Sequence, residues 1–125
     1  MLTPSAIIVT AGKRLTHPSA WTQNAAARDA AGRAIIWRDG LQWLPGAVAW
    51  CVGFALIDGL PLEIDIGPLT RCVSRGVGMT HWATDLNRWR ALARWNDEHG
   101  RKHADVLAAL RRAFVEAKRA EGMRR

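Results

Sequence analysis

Between Arg94 and Leu110 the chain reads as the end of one helix, a polar turn and the start of a second amphipathic helix. Upstream, Trp82, Leu86, Trp89 and Ala93 recur at spacings of four, three and four, which lines them along one face of a helix beginning near Thr80. Downstream, a helix from about His103 to Ala120 places Val106, Leu107, Leu110, Ala113, Phe114 and Ala117 on its buried stripe. Any fold for this chain must accommodate that helix–turn–helix run, so its C-terminal half is built from packed helices.

The N-terminal half is less uniform. Pro4 suits the first turn of a helix to about Lys13, with Thr3 as its cap and Ile7, Ile8, Ala11 and Leu15 facing inward. His17-Pro18-Ser19 stops it. Two extended segments, Gln23–Arg28 and Ala34–Trp37, flank a turn-forming Asp29 and Gly32 and predict a β-hairpin. After a turn at Asp39-Gly40, the nearly uniform apolar run Ala47–Ile57 predicts a helix buried on most sides, ended by Asp58-Gly59. Residues 60–78 mix prolines and glycines with the alternating piece Leu62-Glu63-Ile64-Asp65-Ile66, which suits a brief strand. The expected fold is therefore α+β: one domain over residues 1–125, mainly helical with three or four helices and a small β-hairpin, and a disordered basic tail at 121–125.

Seven Trp, two Phe and no Tyr mean that large rigid rings do much of the packing, and the indole N–H groups need partners. Several Trp side chains are expected half-buried at core edges or interfaces. The net charge of +7 is segregated. Residues 1–70 hold five Lys/Arg against five Asp/Glu, whereas residues 71–125 hold thirteen against six. A basic C-terminal half favours an anionic partner. Two cysteines, Cys51 and Cys72, make no disulfide framework, and the N-terminus lacks a signal-peptide pattern, so the expectation is reduced thiols and a cytoplasmic protein. The longest uncharged run, Leu41 to Ile57, is shorter than the roughly 20 apolar residues needed to span a bilayer, so no membrane is expected.

The densest polar group is Trp95, Asn96, Asp97 and His99 in the turn before the last helix. A carboxylate and an imidazole so close are the minimum for general acid/base work, but Asx residues and Gly100 are also the ordinary chemistry of turns, with Arg101 pairing Asp97. The turn is read as structural first. Cys51, Cys72, His81, His99 and His103 fit no compact metal spacing, so neither metal nor cofactor is expected. Cys51 lies in an apolar run with no local cation to activate it, and Gly76-Val77-Gly78 lacks the fingerprint of a phosphate loop. The cations Arg90, Arg94, Arg101, Arg111, Arg112, Lys118 and Arg119 form the candidate binding set for an anionic partner, with Trp95 as a stacking face.

Trp21-Thr22-Gln23, Ala27-Arg28-Asp29 with Gly32-Arg33, Cys51-x-Gly53-x-Ala55-Leu56, and Trp95-Asn96-Asp97-x-x-Gly100-Arg101 before the last helix carry a resemblance. On these pieces the chain resembles an uncharacterised family of small bacterial and phage proteins, a domain of unknown function. The resemblance implies a common fold with a hairpin and several helices, and an accessory role such as binding a host factor. It brings no activity, cofactor or catalytic residue. Family members carry Thr at the position of Lys102 and Glu at that of Asp105, a capping box for the last helix. Here Lys102 removes the hydroxyl, so Asp97 or a ligand anion is expected at the free N–H groups. Three functions follow: a non-enzymatic module whose basic half binds an anionic partner, foremost nucleic acid; a protein-binding adaptor or inhibitor, including a homodimer, anchored by Trp residues; and a small enzyme with Asp97 and His99 in a pocket.

Overall fold

The computed structural model describes residues 2–35, 46–61, 64–78 and 85–123. Helix α1 spans Pro4–Arg14, with Thr3 Oγ1 accepting from the Ala6 N–H at 3.2 Å as its cap. Ile7, Ile8, Ala11 and Leu15 are all buried, as their spacing predicts. A 3-10 turn at Pro18–Ala20 follows.

The hairpin forms between β1 (Ala27–Arg28) and β2 (Ala34–Ile35), antiparallel with Ala27 opposite Ile35. Asp29 closes its turn by accepting from the Ala31 and Arg33 N–H groups, and Gly32 takes the positive φ of 80° that the turn requires. The strands are shorter than expected, and Trp37 and the turn at Asp39-Gly40 lie outside the described residues.

The apolar run 47–57 is not one helix. Ala49–Trp50 is a third strand, β3, antiparallel to β1, and only Val52–Ile57 is helical (α2). The Val48 N–H donates to the Arg28 carbonyl and the Cys51 N–H to the Ala26 carbonyl, each at 2.9 Å. Pairing with the hairpin thus takes the backbone groups that a longer helix would use, a tertiary override of local propensity. Sheet order is β2-β1-β3.

Helix α3 (Gly67–Gly76) takes the place of the breaks and brief strand that the prolines, glycines and alternation of residues 60–78 suggest. Residues 64–66 are not in a strand, and Leu62 and Glu63 lie outside the described residues. Pro68 starts the helix instead of breaking it, because its missing N–H costs nothing in a first turn, and the Asp65 carboxylate accepts from the Gly67 N–H at 2.9 Å. Leu69, Cys72, Val73 and Gly76 are the buried face.

Helix α4 (Asp85–Asp97) buries Ala91, Leu92 and Asn96, whereas Ala93, expected on its inner face, is exposed. Thr80, His81 and Trp82 lie outside the described residues. Helix α5 (His103–Gly122) buries Val106, Ala109, Leu110, Ala113 and Ala117 against α1 and α3. Of the others expected on that stripe, Leu107 is half-buried against the core, whereas Phe114 stands outside it, 36% exposed. α5 continues to Gly122, and its Glu121 carboxylate accepts from the Ser5 hydroxyl at 2.7 Å and the Ser5 N–H at 3.1 Å. That contact ties the end of α5 to the first turn of α1, where a negative charge is favoured.

The result is α+β: five α-helices and a small three-stranded antiparallel sheet among the described residues. The core is made by α1, α2, α3, α4 and α5 together, with half-buried Trp21, Trp50, Trp89 and Trp95 at its edges. No helix of the described residues is long and apolar enough to cross a membrane.

Candidate functional site

The turn after α4 is a polar lock. Asn96 is 0% exposed and makes four hydrogen bonds. Its Oδ1 accepts from Trp21 Nε1 at 2.7 Å and from the Val52 N–H at 2.9 Å. Its Nδ2 donates to the Thr22 carbonyl and to Asp97 Oδ1, both at 3.0 Å. One side chain therefore joins the segment before the sheet, the first turn of α2 and the end of α4. An amide is suited to this, since it offers two acceptor and two donor positions without a buried charge.

The neighbouring residues complete the lock. Asp97 Oδ1 accepts from the Asn24 N–H at 2.8 Å, holding Asn24 at φ 63°, a left-handed conformation that Asn tolerates. Gln23 Nε2 donates to the Asn96 and Glu98 carbonyls, and Arg101 Nε donates to the Trp95 carbonyl, so two side chains cap the last turn of α4. The Arg101 guanidinium lies 4.1 Å from the centre of the Trp95 ring and pairs with Glu98 at 2.6 Å, not with Asp97 as expected. Arg28 donates to the Thr22 hydroxyl at 2.7 Å and to the Gly32 carbonyl at 3.1 Å, and Arg33 pairs with Asp29. Gly100 supplies a φ of 85°. Trp21-Thr22-Gln23, Arg28-Asp29, Gly32-Arg33 and the Trp95–Arg101 turn are thus one connected network, although far apart in sequence.

His99 is exposed in the turn, and among the described residues no hydrogen bond joins it to Asp97. Nor does Asp97 serve the start of α5. There the Asp105 carboxylate accepts from the Lys102 N–H at 2.9 Å, so the acidic half of the capping box survives without the hydroxyl half. His103 begins α5, with its Nε2–H donating to the Leu15 carbonyl. His81 lies outside the described residues. Cys51 caps α2, with Sγ accepting from the Phe54 N–H, and burial pushes its thiol up to about 11. Cys72 is likewise buried and its thiol raised, chiefly by desolvation.

The seven candidate cations are divided. Arg90 and Arg94 are exposed on α4, which packs on α2 and α3; Arg111, Arg112, Lys118 and Arg119 are on α5, which packs on α1 and α3. Three of the seven hold structure: Arg101 as above, Arg112 through Nε to the Gly76 carbonyl at 2.7 Å, and Arg119 paired with Glu116 at 3.3 Å. Arg111 and Lys118 are exposed and make no ion pair among the described residues.

Beside Arg111 lies a groove of about 470 Å³, between Ile8, Val9 and Gly12 of α1 and Leu107, Phe114 and Val115 of α5. Val9 is 42% and Val115 53% exposed. α1 contains no acidic residue, and the acids of α5 are all engaged elsewhere: Asp105 at the cap, Glu116 with Arg75 and Arg119, Glu121 with Ser5. The lining of the groove is apolar apart from Arg111, and Lys118 follows one turn of α5 beyond Phe114. Helical spacing alone puts Phe114 and Leu107 in the core and marks no role for Val9, Gly12 and Val115. The available signal was that α5 carries two apolar stripes, 106-109-110-113-117 and 107-110-114-115, wider than one neighbour can cover.

Comparison with curated proteins and with solved structures gave no match. A family model, described as a family of unknown function (DUF6197), matches residues 1–116, nearly the whole helical domain and both halves of the polar lock, and the chain belongs to that family.

Proposed function

We propose that this protein is a non-enzymatic binding module that takes an anionic partner on the α1–α5 face. The observation that carries this reading is the groove itself: an apolar floor of pocket-like volume lined on one side by the unpaired Arg111, with Lys118 one turn of α5 further on and no carboxylate in the lining. The Asp97/His99 turn supports an enzyme poorly, because Asn96 and Asp97 are bound to each other and to backbone, and Arg101 is bound to the Trp95 carbonyl and to Glu98. A Trp-anchored adaptor has little support from Trp21, Trp50, Trp89 and Trp95, all half-buried, while Trp37, Trp43 and Trp82 lie outside the described residues. Nucleic acid is the anion that net charge alone favours, although the cations it would use are split between α4 and α5.

The test is binding of the full chain to fluorescent single- and double-stranded DNA, RNA and acidic peptides across a salt series, beside an Arg111→Glu/Lys118→Glu variant. Binding that weakens with salt and is lost in the variant is expected. Binding to no anion at low salt, or binding indifferent to the two substitutions, would refute the reading.

A further inference from the structure

We infer that the partner seated in the α1–α5 groove is an acidic amphipathic helix of about three turns. This rests on the reading above and names the partner at that site. The length follows from the groove and the cation beyond it: the lining on α5 runs from Leu107 to Val115 and Lys118 lies one turn past Phe114, three turns in all, roughly 16 Å at 1.5 Å per residue. The chemistry follows from its surface. Phosphates and base edges gain nothing from Ile8, Val9, Leu107, Phe114 and Val115, whereas a helix with apolar residues at i, i+3, i+4 and i+7 buries against them. Glutamates on its flanks would meet Arg111 and Lys118. A second copy of this chain is disfavoured by the same charges. A two-fold contact sets each patch against itself, and this face has no free carboxylate to answer its own arginine and lysine.

Gly12 supplies an independent observation. Inside this fold a helical glycine already marks a close helix crossing: a methyl on Gly76 would stand 2.6 Å from the Ala109 carbonyl oxygen and 2.9 Å from Ala113 Cβ, where α3 meets α5. Gly12 lies within α1 on the groove wall, yet a methyl there would meet nothing within 4 Å. The chain supplies no neighbour that requires this glycine. A partner backbone crossing α1 at Gly12 would require it.

The experiment uses fluorescein-labelled 18-residue peptides and anisotropy. One has a leucine face with glutamate flanks, one the same face with lysine flanks, and one the first composition with its leucines spread around the helix; a duplex DNA is the fourth probe. The glutamate-flanked peptide should bind, and Gly12→Leu, which fills the groove in open space, should weaken it at least tenfold while leaving thermal stability intact. Arg111→Glu/Lys118→Glu should reverse the preference to the lysine-flanked peptide. Binding of DNA through Arg111 and Lys118 with all peptides silent would overturn the helical partner and leave the anionic one standing. Silence of every probe would overturn both. Concentration-dependent dimerisation abolished by Gly12→Leu would overturn the inference in favour of a second copy.

Discussion

Replacing Asn96 tests whether the polar lock holds the domain together. Asn96→Ala leaves the Val52 N–H, the Thr22 carbonyl and the Trp21 indole N–H without their partner, in a site with no solvent access at the amide. Each orphaned buried group costs about 1–3 kcal/mol. With the half-buried indole counted at the low end, the total is about 3–7 kcal/mol, a large share of the roughly 5–15 kcal/mol that holds a domain folded. At a urea dependence of about 1–3 kcal/mol per molar, the unfolding midpoint should fall by about 2 M, followed by Trp fluorescence. Asn96→Asp sharpens the test. The charged form cannot donate to the Thr22 carbonyl and faces Asp97 Oδ1, so burial and the neighbouring carboxylate raise its folded pKa above the unfolded value of about 3.9. A raised folded pKa contributes stability that is full below about pH 3.9 and lost as pH rises through the folded pKa. The deficit of Asn96→Asp against the native protein should therefore widen from pH 4.5 to 7.5, to at least that of Asn96→Ala. An alanine cost below about 1 kcal/mol, or an aspartate deficit flat with pH, would refute the argument.

The two helical glycines should respond in opposite directions to alanine. Gly76→Ala forces α3 off α5 and disturbs the Arg112 bond to the Gly76 carbonyl, costing about 2 kcal/mol, whereas Gly12→Ala in open space should stabilise by about 0.5–1 kcal/mol, both read by urea denaturation. The Cys51 thiol, held up to about 11, should be thiolate at a fraction of about one in a thousand at pH 8, so its reaction with a disulfide reagent should be slow in the folded protein and fast in urea. Because its folded value lies above the ordinary thiol value of 9.0, its contribution to stability is full below pH 9 and lost as pH rises toward 11, which Cys51→Ala should remove from an alkaline denaturation series.

The candidate site was partly legible. That Asn96, Asp97 and Gly100 serve the turn could be read from residue type, because short polar side chains and glycine satisfy backbone groups where a helix stops. Their actual partners could not be read. Asp97 accepts from the Asn24 N–H, which depends on where a residue some seventy positions upstream arrives, and Arg101 pairs instead with Glu98 and the Trp95 ring. The groove was illegible for a related reason. Periodicity marks Leu107, Phe114 and Val115 as apolar, but only the position of α1 decides which of two apolar stripes is covered.

By itself the sequence determined the features that depend on neighbours along the chain. These are α1 with its Thr3 cap, the hairpin turn at Asp29–Arg33, the start of α5 at His103, and the segregation of positive charge. Helical spacing, capping and turn chemistry act over a few residues and leave their mark locally. Tertiary structure decided what competes for the same backbone groups or the same apolar faces. It drew Ala49–Trp50 into the sheet and out of a helix, made Pro68 a helix start, buried Asn96 with four partners, and left one stripe of α5 uncovered beside Arg111. Those outcomes were fixed by where segments distant in sequence come together, a long-range fact that no local pattern encodes.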